Sequence, residues 1–236
     1  MREPIFNIPN VIMIFVISLV LVFMWQNTLN SRDEMTIILQ HGFIPIRFSL
    51  WLHPEATDRM ILETSSDYTL LSLISYAFLH GSWSHVIMNS VWIVIFGTPI
   101  ARRLGAMRVI LLMVITALAG ILVHWSINRL DQVPVIGASA IASGLTGAAI
   151  RFVFSDTLTQ GVNFSHRGQL MSVREIIRHR QAFAFTLIWL VMNFVFGAFA
   201  QTLGFSEDSV AWQAHLGGFF GGFFLIKILD KKEPAP

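Results

Sequence analysis

The sequence predicts an all-α, polytopic membrane protein: one domain, 1–236, built as a bundle of six spanning helices with both termini on the cytoplasmic side. Three observations predict it. Six apolar stretches approach or reach the roughly 20 residues that a helix needs to cross a bilayer. Hydrophobic residues make up 54% of the chain and charged residues only 13%, with a mean hydropathy of +0.64, where a soluble domain carries about 25% charge. The cations, finally, fall unevenly between alternate loops.

The first span covers 9–25, with Pro9 near its start, where a missing N–H costs nothing. A long first loop, 26–84, follows. It is polar, with Arg32, Asp33, Glu34, Arg47, Glu55, Asp58, Arg59 and Glu63. Its stretch 44–52 is too short to span yet carries aromatics and one arginine, the pattern of a segment lying in the interface. Residues 69–80 form an apolar approach to the second span, 85–101. The third span is 107–128, after a turn at Gly105 bracketed by Arg102, Arg103 and Arg108. The fourth is 139–154. A polar stretch follows, whose basic part (Arg174, Arg178, Arg180) reads as a surface helix against anionic headgroups. The fifth span, 182–200, is rich in phenylalanine, and the sixth is 212–229.

Six spans put both ends on one side. That side collects Arg2, Arg102, Arg103, Arg108, Arg151, Arg167, Arg174, Arg178, Arg180, Lys227, Lys231 and Lys232, leaving Arg32, Arg47, Arg59 and Arg129 on the other. Twelve of the sixteen cations on one side assign it to the cytoplasm under the positive-inside rule. The N-terminus lacks the charged head and small-residue cleavage site of a signal peptide, so the first apolar run is expected to stay as an anchor, and a bacterial inner membrane fits best. The formal net charge is +2 with no basic block, which argues against a nucleic-acid partner. The chain has no cysteine, so disulfides, thiol chemistry and cysteine-held metals are excluded.

This topology turns the N-terminal ends of the second, fourth and sixth spans to the outer face, and the reactive side chains gather there: His85 and Asn89 on the second, Ser139 on the fourth, His215 on the sixth. Polar groups within a membrane are costly and face the bundle interior or a water-filled cavity. Small residues four apart (Ala140 with Gly144, Gly144 with Ala148, Gly217 with Gly221, Gly218 with Gly222) let the fourth and sixth helices approach closely. Acyl transfer is the chemistry that fits. Ser139 is the nucleophile, and His215 is the base that takes its proton and passes it to the leaving amine. The backbone N–H of Ser139, at the positive end of its helix, and the side chains of His85 and Asn89, which share a helix face, would stabilise an oxyanion. Gly137 supplies the turn before the serine. No Asp or Glu falls in any span, so the third member of a triad is missing.

Plainer readings stand beside these. A serine at a helix start is ordinarily an N-cap, and the glycines by themselves signify only packing. Ser143, one turn below Ser139, is a rival nucleophile, although such serines commonly pack or bond back to their own helix. His124 is expected to hydrogen-bond between helices, His80 to bond within the first loop, and His41, His53, His166 and His179 to be solvated or interfacial.

His85-Val-Ile-Met-Asn89, Gly137-Ala-Ser139 and Ala214-His-Leu-Gly-Gly-Phe-Phe-Gly-Gly222 resemble the signature motifs of the rhomboid intramembrane serine proteases. The span count, the long first loop, the order of the motifs and the stretch Phe96–Gly105 are similar as well. The resemblance implies a Ser139–His215 dyad, an oxyanion hole lined by His85 and Asn89, and a turn shaped by Gly137. It further implies a membrane-helix substrate, cut near its outer end after local unwinding, and no metal or organic cofactor. Three departures from the family's pattern stand out. Leu71-Ser72 stands where a Trp-Arg pair is common in the first loop, Ala140 where glycine commonly follows the nucleophile, and Ser143 where an aromatic ring often packs on the catalytic histidine. The fifth span and the loop 201–211 are expected to form a lateral gate for substrate. Two rival classes remain: a non-cleaving protein of the same fold that binds transmembrane helices, and a transporter or metal channel using His80, His85, His124 and His215. The second is disfavoured by the lack of an intramembrane carboxylate.

Overall fold

A computed structural model describes residues 7–53, 68–155, 168–199 and 211–230, and among them the regular structure is ten α-helices, one 3₁₀ turn and a single isolated β-bridge. The helices are α1 (Asn10–Gln26), α2 (Ser31–His41), α3 (Pro45–Leu52), α4 (Thr69–Ser75), α5 (Trp83–Leu104), α6 (Ala106–Ile127), α7 (Ser139–Val153), α8 (Val173–Arg178), α9 (Arg180–Phe199) and α10 (Trp212–Leu229). A helix occupies each of the six expected span ranges. By length and composition, three of them are long and apolar enough to cross a membrane: α5, α6 and α9.

The centre of the bundle is α7. Every residue after Ser139 in it is buried, against α5, α6 and α10. At 15 residues it is roughly 22 Å long, short of the ~30 Å hydrocarbon core, and a helix enclosed by protein has no need to match the lipid. Its small residues set how closely its neighbours come. A Cβ added at Gly218 would fall on the backbone of Ala140, one at Gly222 on the carbonyl of Gly144, and one at Gly147 on the carbonyl of Phe219. The pairs Ala140/Gly218 and Gly144/Gly222 advance together along both helices, so α7 and α10 run parallel. Helix α6 joins the seam, where a Cβ at Gly120 would meet Ala140 Cβ at 2.6 Å and the Ala214 carbonyl at 2.7 Å. Interior packing in a membrane protein relies on such close approach, since lipid supplies little hydrophobic drive between helices.

The two ends of the described chain meet at one end of the bundle. Arg102 donates to the Asn7 carbonyl at 2.6 Å, while Arg103 forms a fork with Asp230 at 3.0 and 2.7 Å and donates to the Gly168 carbonyl at 2.6 Å. Arg151, on the last turn of α7, donates from Nε to the Met171 carbonyl at 2.5 Å and from a terminal nitrogen to the Phe223 carbonyl at 2.8 Å. Beside them Ser172 and Glu175 form a capping box on α8. There the Ser172 N–H bonds the carboxylate at 2.6 Å and holds it below the usual carboxylate range. Arg102, Arg103 and Arg151, which the sequence grouped on one side, therefore share one end of the fold.

The first loop is more helical than its polarity suggests. Asn30 caps α2 by accepting from the N–H groups of Arg32 and Asp33, with Asp33 and Glu34 in the first turn; a cap followed by acidic residues was the overlooked signal. The stretch 44–52, expected to lie in the interface, forms α3. It docks on the segment before α7 through Ile46 N–H to the Asp131 carbonyl at 3.0 Å, Ser49 hydroxyl to the Arg129 carbonyl at 2.8 Å, and the paired strand residues Phe43 and Val135. At the Leu71-Ser72 departure, Leu71 is exposed and the Ser72 hydroxyl bonds within its own turn at 2.7 Å. The cation that ties this loop together is Arg47, which donates to the carbonyls of Leu39, Gln40 and Gly42 at 2.6, 3.4 and 2.7 Å and so closes the C-terminus of α2. Arg47→Ala leaves those carbonyls unpaired. It is expected to cost about 2–3 kcal/mol, read as a lower unfolding midpoint in detergent micelles. Residues 54–67, with Glu55, Asp58, Arg59 and Glu63, lie outside the described residues.

Candidate active site

The site is assembled at the turn that enters α7. Gly137 has φ +110, a left-handed conformation that disfavours side chains, and a Cβ there would sit 2.5 Å from His85 Nε2 and 3.5 Å from Asn89 Nδ2. Glycine is thus required twice, for the backbone angle and for the approach of two side chains from α5. The turn is pinned by its N–H, which donates to the Tyr76 carbonyl at 2.9 Å; Tyr76 in turn donates its hydroxyl to the Ala117 carbonyl on α6 at 2.9 Å.

Ala138, not Ser139, takes the N-cap position of α7, and no side chain caps that helix. Ser139 is its first helical residue, half-buried, and the first backbone bond of the helix runs from Ala142 N–H to the Ala138 carbonyl. The N–H groups of Ser139, Ala140 and Ile141 come before that bond, at the positive end of the helix dipole. The ordinary cap reading of Ser139 is therefore not how this helix starts.

His85 stands in the first turn of α5, where its N–H donates to the cap residue Ser82 at 3.2 Å. One turn on, Asn89 is buried and its amide nitrogen lies 3.1 Å from His80 Nε2. His80 proves central. It is fully buried, and its Nδ1 lies 3.2 Å from the Phe78 carbonyl, which must accept. Its Nε2 is consequently an acceptor, for Asn89 and for the Ala138 N–H at 3.5 Å. Gln26 brackets its backbone, donating to the His80 carbonyl at 3.3 Å and accepting the His80 N–H at 3.2 Å. The first-loop bonds expected of His80 are present among the described residues, from the ring to Phe78 and from the backbone to Gln26; the ring also links α5 to the serine turn. An Asn amide has two donors, so Asn89 keeps one beyond the bond to His80.

His215 lies in the first turn of α10. The parallel register with α7 brings it level with the first turn of that helix, and the contacts of Gly218 with Ala140 and of Gly120 with Ala214 hold it there. Its Nδ1 is 2.7 Å from Asn193 Oδ1 on α9. Among the described residues no hydrogen bond joins Ser139 to His215. His124 bridges α6 to α10 through Gln213, 3.3 Å from its Nδ1, as the interhelical partner expected of it. Ser143 is buried within α7, below the first turn. Among the other histidines, His53 is exposed, and His41 and His179 are half-buried. His41 packs against Tyr68, with ring centroids 5.4 Å apart, and His179 Nδ1 accepts from the Ala182 N–H at 3.3 Å. His166 and the loop 201–210 lie outside the described residues.

Sequence reasoning missed Asn193, having looked for a carboxylate. The available signal was a lone amide in the apolar run of α9, since polar side chains at such depth are costly and generally engaged.

Helices of this apolarity, closing around a polar cluster at three helix N-termini, define an integral membrane protein with an internal polar site. The chain belongs to the rhomboid family: the family model described as "Rhomboid domain" matches residues 68–232, a range that holds His80, His85, Asn89, Gly137, Ser139 and His215. It is 26% identical over 218 residues to "RHOMBOID-like protein 5" of Arabidopsis thaliana, covering 87% of this chain and 62% of that one. It is 28% identical over 162 residues to "Putative rhomboid protease YdcA" of Bacillus subtilis (strain 168), covering 68% of each.

Proposed function

We propose that this protein is an intramembrane serine endopeptidase that cuts transmembrane helices of other membrane proteins near the outer face, as a six-span bundle with both termini cytoplasmic in a bacterial cell membrane. Ser139 Oγ attacks the scissile carbonyl and gives its proton to His215 Nε2, which delivers it to the leaving amine; water then hydrolyses the acyl ester with His215 again as base. The N–H groups at the start of α7, the second Asn89 amide hydrogen and His85 receive the oxyanion. The observation that carries this reading is an uncapped helix start bearing Ser139, level with His215 and faced by His85 across Gly137. The lack of a Ser139–His215 hydrogen bond among the described residues agrees with a dyad that tightens only with substrate in place, as such bonds commonly do. The name of the Bacillus relative includes a rhomboid protease, which agrees with the proposal.

The test is cleavage of a transmembrane substrate by purified protein in liposomes, beside Ser139→Ala and Ser143→Ala. Wild type and Ser143→Ala should cut, and Ser139→Ala should not. A wild type that binds the helix without cutting it would instead make the chain a non-cleaving binder, and cleavage by Ser139→Ala would remove the assigned nucleophile.

Substrate enters, in this proposal, between α5 and α9. Ile87, Met88, Val91 and Ile95 on α5 and Leu187, Ile188, Val191 and Met192 on α9 are exposed apolar side chains, while Phe96 and Phe185 meet with ring centroids 5.8 Å apart. An engineered cysteine pair joining the outer halves of α5 and α9 is expected to reduce cleavage on oxidation and restore it on reduction. Undiminished cleavage by the joined protein would rule the gate out.

A further inference from the structure

We infer that Asn193 is a positioning residue that fixes the tautomer of His215, an inference that rests on the proposed Ser139–His215 chemistry. The argument starts from a hydrogen-bond constraint. Asn193 Nδ2 lies 3.3 Å from the carbonyl oxygen of Trp212, and a carbonyl can only accept. The amide is thereby oriented with its nitrogen toward the start of α10. Its oxygen then faces His215 Nδ1 at 2.7 Å, and since an amide oxygen is also only an acceptor, Nδ1 must carry the hydrogen. Neutral imidazole has one N–H, so Nε2 is left with a free lone pair, the state a general base needs.

The same two bonds hold the ring in place. Both partners of Asn193 belong to the first turn of α10, so the amide braces the backbone and the imidazole of one turn together. Around it, α9 packs on α10 through the stacked rings of Trp189 and Phe219, 4.4 Å between centroids, and the perpendicular pair Phe194 and Trp212 at 5.5 Å. The anchor of Asn193 is thus an aromatic seam, not a contact with the reacting atoms.

An amide in this position also accounts for the missing carboxylate. An ionised Asp would orient the ring equally well but would be a buried charge within the bilayer, with a desolvation penalty of several kcal/mol. The neutral oxygen of Asn193 selects the tautomer without that penalty, at the cost of stabilising the imidazolium less.

The test uses the whole protein labelled with ¹⁵N-histidine, the His215 signals being identified by their loss in His215→Gln. Wild type should show a protonated-type shift at Nδ1 and an unprotonated one at Nε2, a readout that needs no activity and no variant at Asn193. Asn193→Leu, of similar size, should mix the two tautomers and lower kcat by about 10- to 100-fold with KM changed by less than about twofold. A wild-type His215 bearing its hydrogen on Nε2, or an Asn193→Leu protein with unaltered tautomer and kcat, overturns the positioning role alone. A wild type with the expected tautomer that cuts no substrate overturns the protease reading, and this role with it.

Discussion

Ser139→Ala should lower the cleavage rate by at least ~10³-fold, and adding His215→Ala to it should lower the rate little further. In the proposed mechanism nucleophile and base act as one unit: once the hydroxyl is gone the imidazole has no proton to take, so their separate losses should not be additive. Substrate binding should survive, because the removed hydroxyl contributes to bond making and not to holding the helix. KM or substrate crosslinking yield is therefore expected to stay near wild type while kcat falls. A double variant much slower than Ser139→Ala would mean that His215 acts on some other nucleophile. Ser143, one turn deeper in α7 and buried among its neighbours, is the control: Ser143→Ala exchanges a small side chain for a smaller one and should leave kcat nearly intact.

Gly222→Val is expected to be the most damaging substitution away from the reacting groups. A Cβ at Gly222 would land on the Gly144 carbonyl oxygen, with the Gly144 carbonyl carbon 2.6 Å and its Cα 2.9 Å away. The obstacle is backbone on a central helix, not the tip of a flexible side chain, so α10 would have to move off α7 along its length. Overpacking a tight core costs about 1–3 kcal/mol and occasionally more; a clash with backbone belongs at the upper end of that range. Two measurements check it. The midpoint of denaturant-induced unfolding in micelles should fall sharply, and any folded fraction should lose activity, because His215 rides on the displaced helix. By contrast a Cβ at Gly221 would meet its nearest neighbour, Ala119 Cβ, at 3.0 Å, so Gly221→Ala should be far milder.

The helices themselves were legible because each is written in local chemistry. Apolar runs marked the six long helices to within three residues of their ends, and Gly105, with φ +80, marks the break between α5 and α6. Less legible were α2 and the role of Arg47. A polar, charged segment gives weak periodicity, and nothing local says that a guanidinium will close a helix end several residues upstream. His80 was underestimated for a related reason. Its partners Gln26, Asn89 and Ala138 are 54, 9 and 58 residues away, and no spacing rule connects them.

What the sequence determined by itself was the class of protein and a short list of candidate site residues, since hydropathy, charge partition and motif spacing are properties of the chain that need no partner. Only the tertiary structure decided how those side chains are held. It made Ala138 the cap and left Ser139 as the first residue of an uncapped helix. It brought His215 level with that helix start through glycine contacts between α7 and α10, and it supplied Asn193 from α9 as the partner of Nδ1. The physical reason is range. Helix formation is decided within a few residues, whereas hydrogen-bond geometry depends on distances of a few ångströms between elements far apart in the chain.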